Sequence, residues 1–317
     1  MAQPSNTFDS IDNANSIRED IQDIIYNISP DETPFLSACK KTTAKSTLHE
    51  WSTDTLRASA ANAHIEGDDT TASAVTGVTR LNNRTQIFKD AIIISDTDEG
   101  LSKIAKDKEM SYQILKAGKT MKLDIEKALF DNNAKVAGSS TAARELAGAP
   151  VWLTSNTVKG SGGADANGTG SNARTDGTQT VFTQAKFDTV MQSVWENGGT
   201  GSKTAYLSAF NMTKCLGFAG NNNQRANVVG ADERVINSIS IYLTPWGEIS
   251  LRPTRENRSR DVFLMQNDTW QVATLRPMKN VELAKTGDNS KRQLTTELTL
   301  VCTSEAANGM VADCTTS

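Results

Sequence analysis

Two stretches, KSTLHEWSTDTLR at residues 45–57 and VTRLNNRTQIFKDAIIIS at residues 78–95, decide how this chain is read. In the first, Leu48, Glu50 and Ser52 alternate with His49, Trp51 and Thr53, and the second ends in Ile92-Ile93-Ile94. A period of two is the mark of a strand, so the pair predicts a long β-hairpin. Between them, residues 60–74 are polar and threonine-rich, with Ile65 the only large apolar side chain besides valine and Glu66-Gly67-Asp68-Asp69 at the tip. Such an arm has little of its own to fold around. Its expected partner is another chain, with Glu66, Asp68 and Asp69 meeting charges of a neighbouring subunit.

Upstream, the first fifteen residues carry no periodicity and read as an arm. Ser16-Ile17-Arg18-Glu19 is a capping box, and Ile17, Ile21, Ile24, Ile25 and Ile28 follow at helical spacing until Ser29-Pro30 stops the run. A three-turn helix with an isoleucine stripe is not stable alone, so it is expected to bury that stripe against another subunit. Thr33-Pro34 opens a second short helix through Phe35 and Leu36.

Downstream, Met110, Ile114, Gly118, Met121, Ile125 and Leu129 predict a long helix over 102–132, with Lys122–Glu126 and Lys127–Asp131 pairs on its exposed side. Residues 154–180, with six glycines among Ser, Asn, Asp and Thr, read as a flexible surface loop whose shortening should spare folding. A helix after Thr183 presents Phe187, Val190, Met191, Val194 and Trp195, and a strand over 203–208 and a short helix over 211–218 follow. The last third reads as strands. One hairpin turns at Thr244-Pro245-Trp246-Gly247, a second joins 261–265 to 269–275, and two closing strands occupy 281–284 and 293–302.

Composition narrows the function classes. The 317 residues carry 33 basic and 37 acidic side chains, net −4, so bulk electrostatic grip on nucleic acid is not expected and any such contact is local. No apolar run approaches the roughly 20 residues of a membrane span, and Met-Ala-Gln-Pro-Ser-Asn does not resemble a signal peptide; neither a secreted nor a membrane protein is expected. Cys39, Cys215, Cys302 and Cys314 are scattered and read as buried free thiols. With only His49 and His64, no metal spacing, no nucleophile elbow and no cofactor motif arises. Ala117-Gly118-Lys119-Thr120 imitates the tail of a phosphate loop, but Gln113 stands where that loop needs glycine, and the tetrapeptide lies mid-helix. There Gly118 is expected to be a close-packing point. Asp96, Asp98 and Glu99 read as carboxylates capping a following helix rather than as a cation site. Arg252, Arg255, Arg258 and Arg260 form one dense basic stretch, open to three readings: phosphate contact, intersubunit pairing or a solvated loop.

This order of parts, an arm with helix, an extended hairpin, a long helix, a mixed lobe and returning strands, resembles the major capsid protein of tailed bacteriophages, the α+β Hong Kong 97-like fold. Two local runs sharpen the likeness. Ile28-Ser29-Pro30-Asp31-Glu32-Thr33-Pro34-Phe35 resembles an N-terminal signature of the branch similar to the SU-ten phage capsid protein. Leu283-Ala284-Lys285-Thr286-Gly287-Asp288, with Lys291-Arg292-Gln293 and Glu297-Leu298-Thr299-Leu300, resembles its closing strands. The likeness covers residues 17–311. It implies an N-terminal arm at 1–40, an extended loop at 41–89, a peripheral domain with spine helix at 90–144, an axial domain at 145–275 and returning peripheral strands at 276–317. It further implies self-assembly into hexamers and pentamers of an icosahedral head made in the bacterial cytoplasm, with no enzymatic activity and no cofactor. The implied partners are further copies of the chain, a separate scaffolding protein, a portal, a cement or decoration protein, and packaged double-stranded DNA touched only locally. No long charged helical pre-segment is seen ahead of Ser16, so scaffolding is expected to fall to a separate protein. No lysine–asparagine pair marks a covalent cross-link. Two alternatives stand beside this: a nanocompartment shell on the same fold, and a nucleotide-dependent enzyme resting on Gly118-Lys119-Thr120.

Overall fold

A computed structural model of the chain describes residues 32–67, 69, 72, 74, 75, 77–102, 108–218 and 241–316. The isoleucine helix expected from Ile17, Ile21, Ile24, Ile25 and Ile28 lies outside them, as does Asp68 of the hairpin tip.

Helix α1 (Pro34–Ala38) leads into β1 (Lys40–Thr43), β2 (Leu48–Thr53), β3 (Thr79–Arg84) and β4 (Gln86–Ser95). After these come α2 (Asp96–Gly100), α3 (Glu109–Phe130), β5 (Thr157–Val158), α4 (Gln184–Glu196), β6 (Lys203–Leu207) and α5 (Ala209–Leu216). Six strands close the chain: β7 (Ile241–Thr244), β8 (Gly247–Pro253), β9 (Val262–Met265), β10 (Trp270–Glu282), β11 (Asn289–Cys302) and β12 (Gly309–Val311). The strands form a four-stranded sheet in the order β1-β10-β11-β4, a six-stranded sheet in the order β5-β12-β9-β6-β8-β7, and the two-stranded pair β2-β3.

Hydrophobic spacing explains how helices meet sheets. On α3, Ala117, Met121, Ile125, Leu129 and Phe130 come round to one side and join Phe88, Leu294 and Leu298 from β4 and β11 in one core. On α4, Phe187, Val190, Met191 and Val194 are buried with Ala205, Leu207 and Val311, the second core. Trp195, expected on that face, is instead 57% exposed. Phe35 of α1 sits where the two sheets meet, its ring centroid 4.9 Å from Phe130, 5.4 Å from Tyr206 and 5.8 Å from Trp270.

Several expectations need correction. The stretch 78–95 is not one strand of a hairpin. It breaks at the fully buried Thr85, so that β3 pairs with β2 while β4 pairs with β11 in the four-stranded sheet. Residues 261–265 and 269–275 are not a hairpin either. A single 3-10 turn at Asn267–Thr269 carries the chain from β9, held by β6 and β12, to β10, held by β1 and β11. Asn308 fixes that crossing, its Oδ1 accepting from the Gln266 amide (2.8 Å) and the Trp270 indole (2.9 Å).

Glu126, placed on the exposed side of the long helix, is fully buried and accepts the amides of Phe35 and Leu36. Gly118 is not a packing point, because a Cβ there would meet nothing within 4 Å. The largest correction concerns residues 154–180. β5 pairs in parallel with β12, Ala164 bridges Thr175, and Ala166 and Arg174 are buried. Two of its glycines serve close approach: a Cβ on Gly160 would fall 1.9 Å from the Thr178 carbonyl, and one on Gly177 2.7 Å from the Gly160 carbonyl.

Candidate functional site: a hairpin fixed at its base

The β2–β3 ladder runs in register from Leu48 against Arg84 to Thr53 against Thr79. Beyond it, in 54–78, none of the described residues forms a strand, and the apolar side chains face water: Leu56 is 98%, Ile65 82% and Val75 96% exposed. Exposure on this scale leaves apolar surface uncovered within the chain. Glu66 and Asp69 are exposed at the tip, where Gly67 takes a left-handed φ of +82°.

The base, by contrast, is clamped. Asn83 is fully buried on β3; its amide group donates to the carbonyls of Leu300 (2.8 Å) and Ala147 (3.2 Å), and its carbonyl oxygen accepts from the Ala147 amide (2.9 Å). The Lys135 ammonium donates to the backbone carbonyl (2.9 Å) and side-chain oxygen (2.6 Å) of Asn82 and to the Thr169 carbonyl (2.7 Å). Trp51 packs on Trp152 with ring centroids 5.3 Å apart. At the hinge into β4, the Thr85 hydroxyl donates to Glu297 (2.7 Å) and its carbonyl accepts from Arg144 (2.6 Å). Arg144 also pairs with Glu297, and Arg276 donates to it at 2.8 Å. Burial would raise the Glu297 pKa, but the hydrogen bonds from Thr85 and Arg276 and the charges of Arg144 and Arg276 outweigh it and hold the carboxyl below its ordinary value.

A second charged assembly absorbs half of the basic stretch. Arg258 pairs with Asp176 and Asp261, both at 2.7 Å, and Arg260 with Asp313 (2.7 Å) and Asp176 (3.1 Å). Arg174, whose side chain is fully buried, meets Asp176 at 2.8 Å, Asp313 at 3.0 Å and Asp261 at 3.6 Å. Three arginines thus face three aspartates within one chain. Burial opposes the charge on Arg174, yet its bond to Asp313 and the three carboxylates hold it protonated. Arg252 and Arg255 stay exposed. Sequence reasoning missed Arg174, although an arginine amid glycine, serine, asparagine and threonine was the available signal; nothing near Asp313 marked it.

Of the acidic group before the long helix, Glu99 caps α3, while the Asp96 carboxylate is taken by Lys285 and Ser290. Asp96, Asp98 and Glu99 fall in the first turn of α2, where the Ser95 hydroxyl accepts from the Asp98 amide, and Glu99 accepts from the Met110 amide at the start of α3. Among the described residues, no group of three His, Cys, Asp or Glu side chains is placed to hold a metal ion. All four cysteines are buried and free, with burial pushing the Cys215 and Cys314 thiols up to about 12, so none is a ready thiolate. The Gly118-Lys119-Thr120 amides lie inside α3, where the helix ladder uses them.

Comparison with known proteins matches this picture. The fold is similar to the capsid asymmetric unit of cyanophage A-1(L), with a TM-score of 0.67 at 12% identity over 98% of this chain and all of that one. It is similar also to the capsid of the native GTA particle, with a TM-score of 0.63 at 10% identity over 98% of this chain and all of that one. The major capsid protein of Escherichia phage Phieco32 is 25% identical over 323 residues, covering 90% of each chain. Residues 3–315 match the family described as SU10 major capsid protein, and the chain therefore belongs to that family of tailed-phage major capsid proteins.

Proposed function

We propose that this shell-forming capsid protein assembles as hexamers and pentamers of an icosahedral head enclosing double-stranded DNA, each copy bracing a neighbour with its hairpin. One observation carries the bracing role. The hairpin base is locked to the body by Asn83, Lys135 and Trp51, while Leu56, Ile65 and Val75 further out are exposed. A rigidly aimed arm with uncovered apolar side chains gains free energy by lying on another copy, at about 25 cal/mol per Å² covered. Glu66 and Asp69 at its tip add pairings worth under about 1 kcal/mol each, repeated at every subunit of a closed lattice.

The division of labour follows the arm at 1–40, the extended loop at 41–89, the peripheral domain at 90–144 with its returning strands at 276–317, and the axial domain at 145–275. The strands suggest a narrower loop, since Lys40–Thr43 and Gln86–Ser95 belong to the four-stranded sheet. A separate scaffolding protein, a portal and a decoration protein are the remaining partners of this reading, and Arg252 and Arg255 are the cations of the basic stretch left to meet phosphate or another subunit. The role is structural, without catalysis. Among the described residues no helix is long and apolar enough to cross a membrane.

Replacing residues 60–74 by a two-residue turn tests the brace. The shortened chain should keep a cooperative melt by circular dichroism and lose closed shells in negative-stain micrographs. Normal shells would remove the bracing role, and an unfolded chain would return the hairpin to the core.

A further inference from the structure

Glu126 plays no part in the hairpin clamp or the arginine–aspartate assembly, yet it is a fully buried carboxylate. Its oxygens accept the amides of Phe35 at 2.9 Å and Leu36 at 2.7 Å, the first-turn donors of α1. Thr33, at the N-cap position, makes no side-chain cap bond, so a residue on α3 takes over the capping. Lys122 and Lys127, its charged neighbours on α3, point to solvent. Among the described residues, the other ionisable groups facing it are Cys39 beyond α1, Tyr206 of β6 and Glu256 in the loop after β8. Arg252 of β8 acts on Tyr206 and Lys41 of β1 on Cys39. Burial pushes the Glu126 carboxyl up to about 7, Glu256 adds to this, and the two amides oppose it.

We propose that seating α1 on the body is coupled to proton uptake at Glu126, so that acidification tightens the seat and a rise above neutral pH loosens it. When α1 lifts, Phe35 leaves the junction of the two sheets and Glu126 meets water as an ordinary carboxylate. When α1 seats, the carboxyl is enclosed with no cation among the described residues to balance it. Ionised, it satisfies both amides but carries a buried charge; protonated, it keeps one acceptor and sheds the burial penalty. The seated form therefore binds the proton more tightly, and linkage requires protons to favour seating. Residues 1–31 join the described body through α1, so the coupling acts at their attachment point.

Hydrogen exchange on the full chain reads the seat directly, through the peptide covering residues 33–39, with intrinsic exchange rates corrected out. Between pH 5.5 and pH 8.5 protection in this peptide should fall about thirtyfold, as the carboxyl's change of environment requires. A peptide across β9 should hold constant and so separate local unseating from global loosening. Glu126→Gln should flatten the profile, and Glu256→Gln should keep it while moving its midpoint to lower pH. A flat wild-type profile overturns the proposal, and so does an unchanged profile in Glu126→Gln. Should Glu126→Gln fail to fold, the wild-type slope and the Glu256→Gln midpoint decide the matter.

Discussion

Arg174 and Asp313, 139 residues apart in the chain, form an ion pair of 3.0 Å in which both side chains are shielded from water. The pair ties the glycine-rich middle of the chain to its C-terminal end. Asp176 extends the tie to Arg258 and Arg260, so the loop after β8 is held by the same knot.

Removing one member of this knot should cost far more than a surface pair. Arg174→Ala leaves Asp261 and Asp313 enclosed with less compensation, and a loss of about 3–5 kcal/mol is expected. Asp313→Ala should behave alike, and Arg174→Lys should recover only part, since an ammonium cannot reproduce the planar fork. Urea denaturation of unassembled protein measures this. A loss below about 0.5 kcal/mol for Arg174→Ala would mean the knot is no more than a solvated pair.

Gly160→Ala probes the same region through the backbone. The new methyl carbon would lie 1.9 Å from the Thr178 carbonyl, so the strap must shift, at a cost of about 1–3 kcal/mol. Shortening 161–176 by ten residues should give insoluble protein, where a linker would tolerate it. Thermal melts of the point variant and the soluble yield of the deletion are the readouts.

Stability should peak on the acidic side of neutral. Glu126 has its folded pKa raised from 4.5 to about 7, so its contribution is fully present below the lower value and is lost as pH rises through the upper one. Glu297 and Asp313 are held below their ordinary values, so theirs is present above those values and is lost as pH falls through the depressed ones. Denaturation midpoints from pH 4 to pH 9 should trace a dome, and Glu126→Gln should remove its alkaline limb, worth at most about 3 kcal/mol.

The two clamps at the hairpin base should separate stability from assembly. Asn83→Ala leaves the Ala147 amide and the Leu300 and Ala147 carbonyls without this partner, at about 1–3 kcal/mol for a stranded group, and should lower the melting temperature by several degrees. Lys135→Ala acts on a half-buried side chain, so it should melt almost normally while yielding fewer closed shells, because the arm is less firmly aimed. Equal effects of both variants on melting and on shell yield would contradict this division.

Much of the fold was legible because its signals are local. Pro34 at the start of α1, the apolar spacing of α3 and α4, and the Thr244–Gly247 turn all write their structure within a few residues. What was hidden depends on partners far off in sequence. Glu126 looked like half of a surface pair with Lys122, since nothing on α3 reveals that two amides some ninety residues earlier point at it. The glycines of 154–180 carry the composition of a flexible loop, and only the crowding of Gly160 against Thr178 shows they permit contact instead. Arg258 and Arg260 read as a basic surface because Asp176 and Asp313 lie 82 and 53 residues away. The pairing of β2 with β3 was legible, but the hinge was not, since Thr85 breaks the strand through Glu297 rather than through any turn residue.

The position of Phe35 has a mechanical consequence. One aromatic side chain just inside the N-terminal segment touches Phe130 of the long helix, Tyr206 of the six-stranded sheet and Trp270 of the four-stranded sheet. A pull on the chain at Pro34 therefore meets the Phe35 ring, beside the Phe35 and Leu36 amides held by Glu126, and divides at once among three elements. Such a pull is loaded at the seam between the two sheets, where it is met by packed aromatic rings instead of by one strand that could peel away.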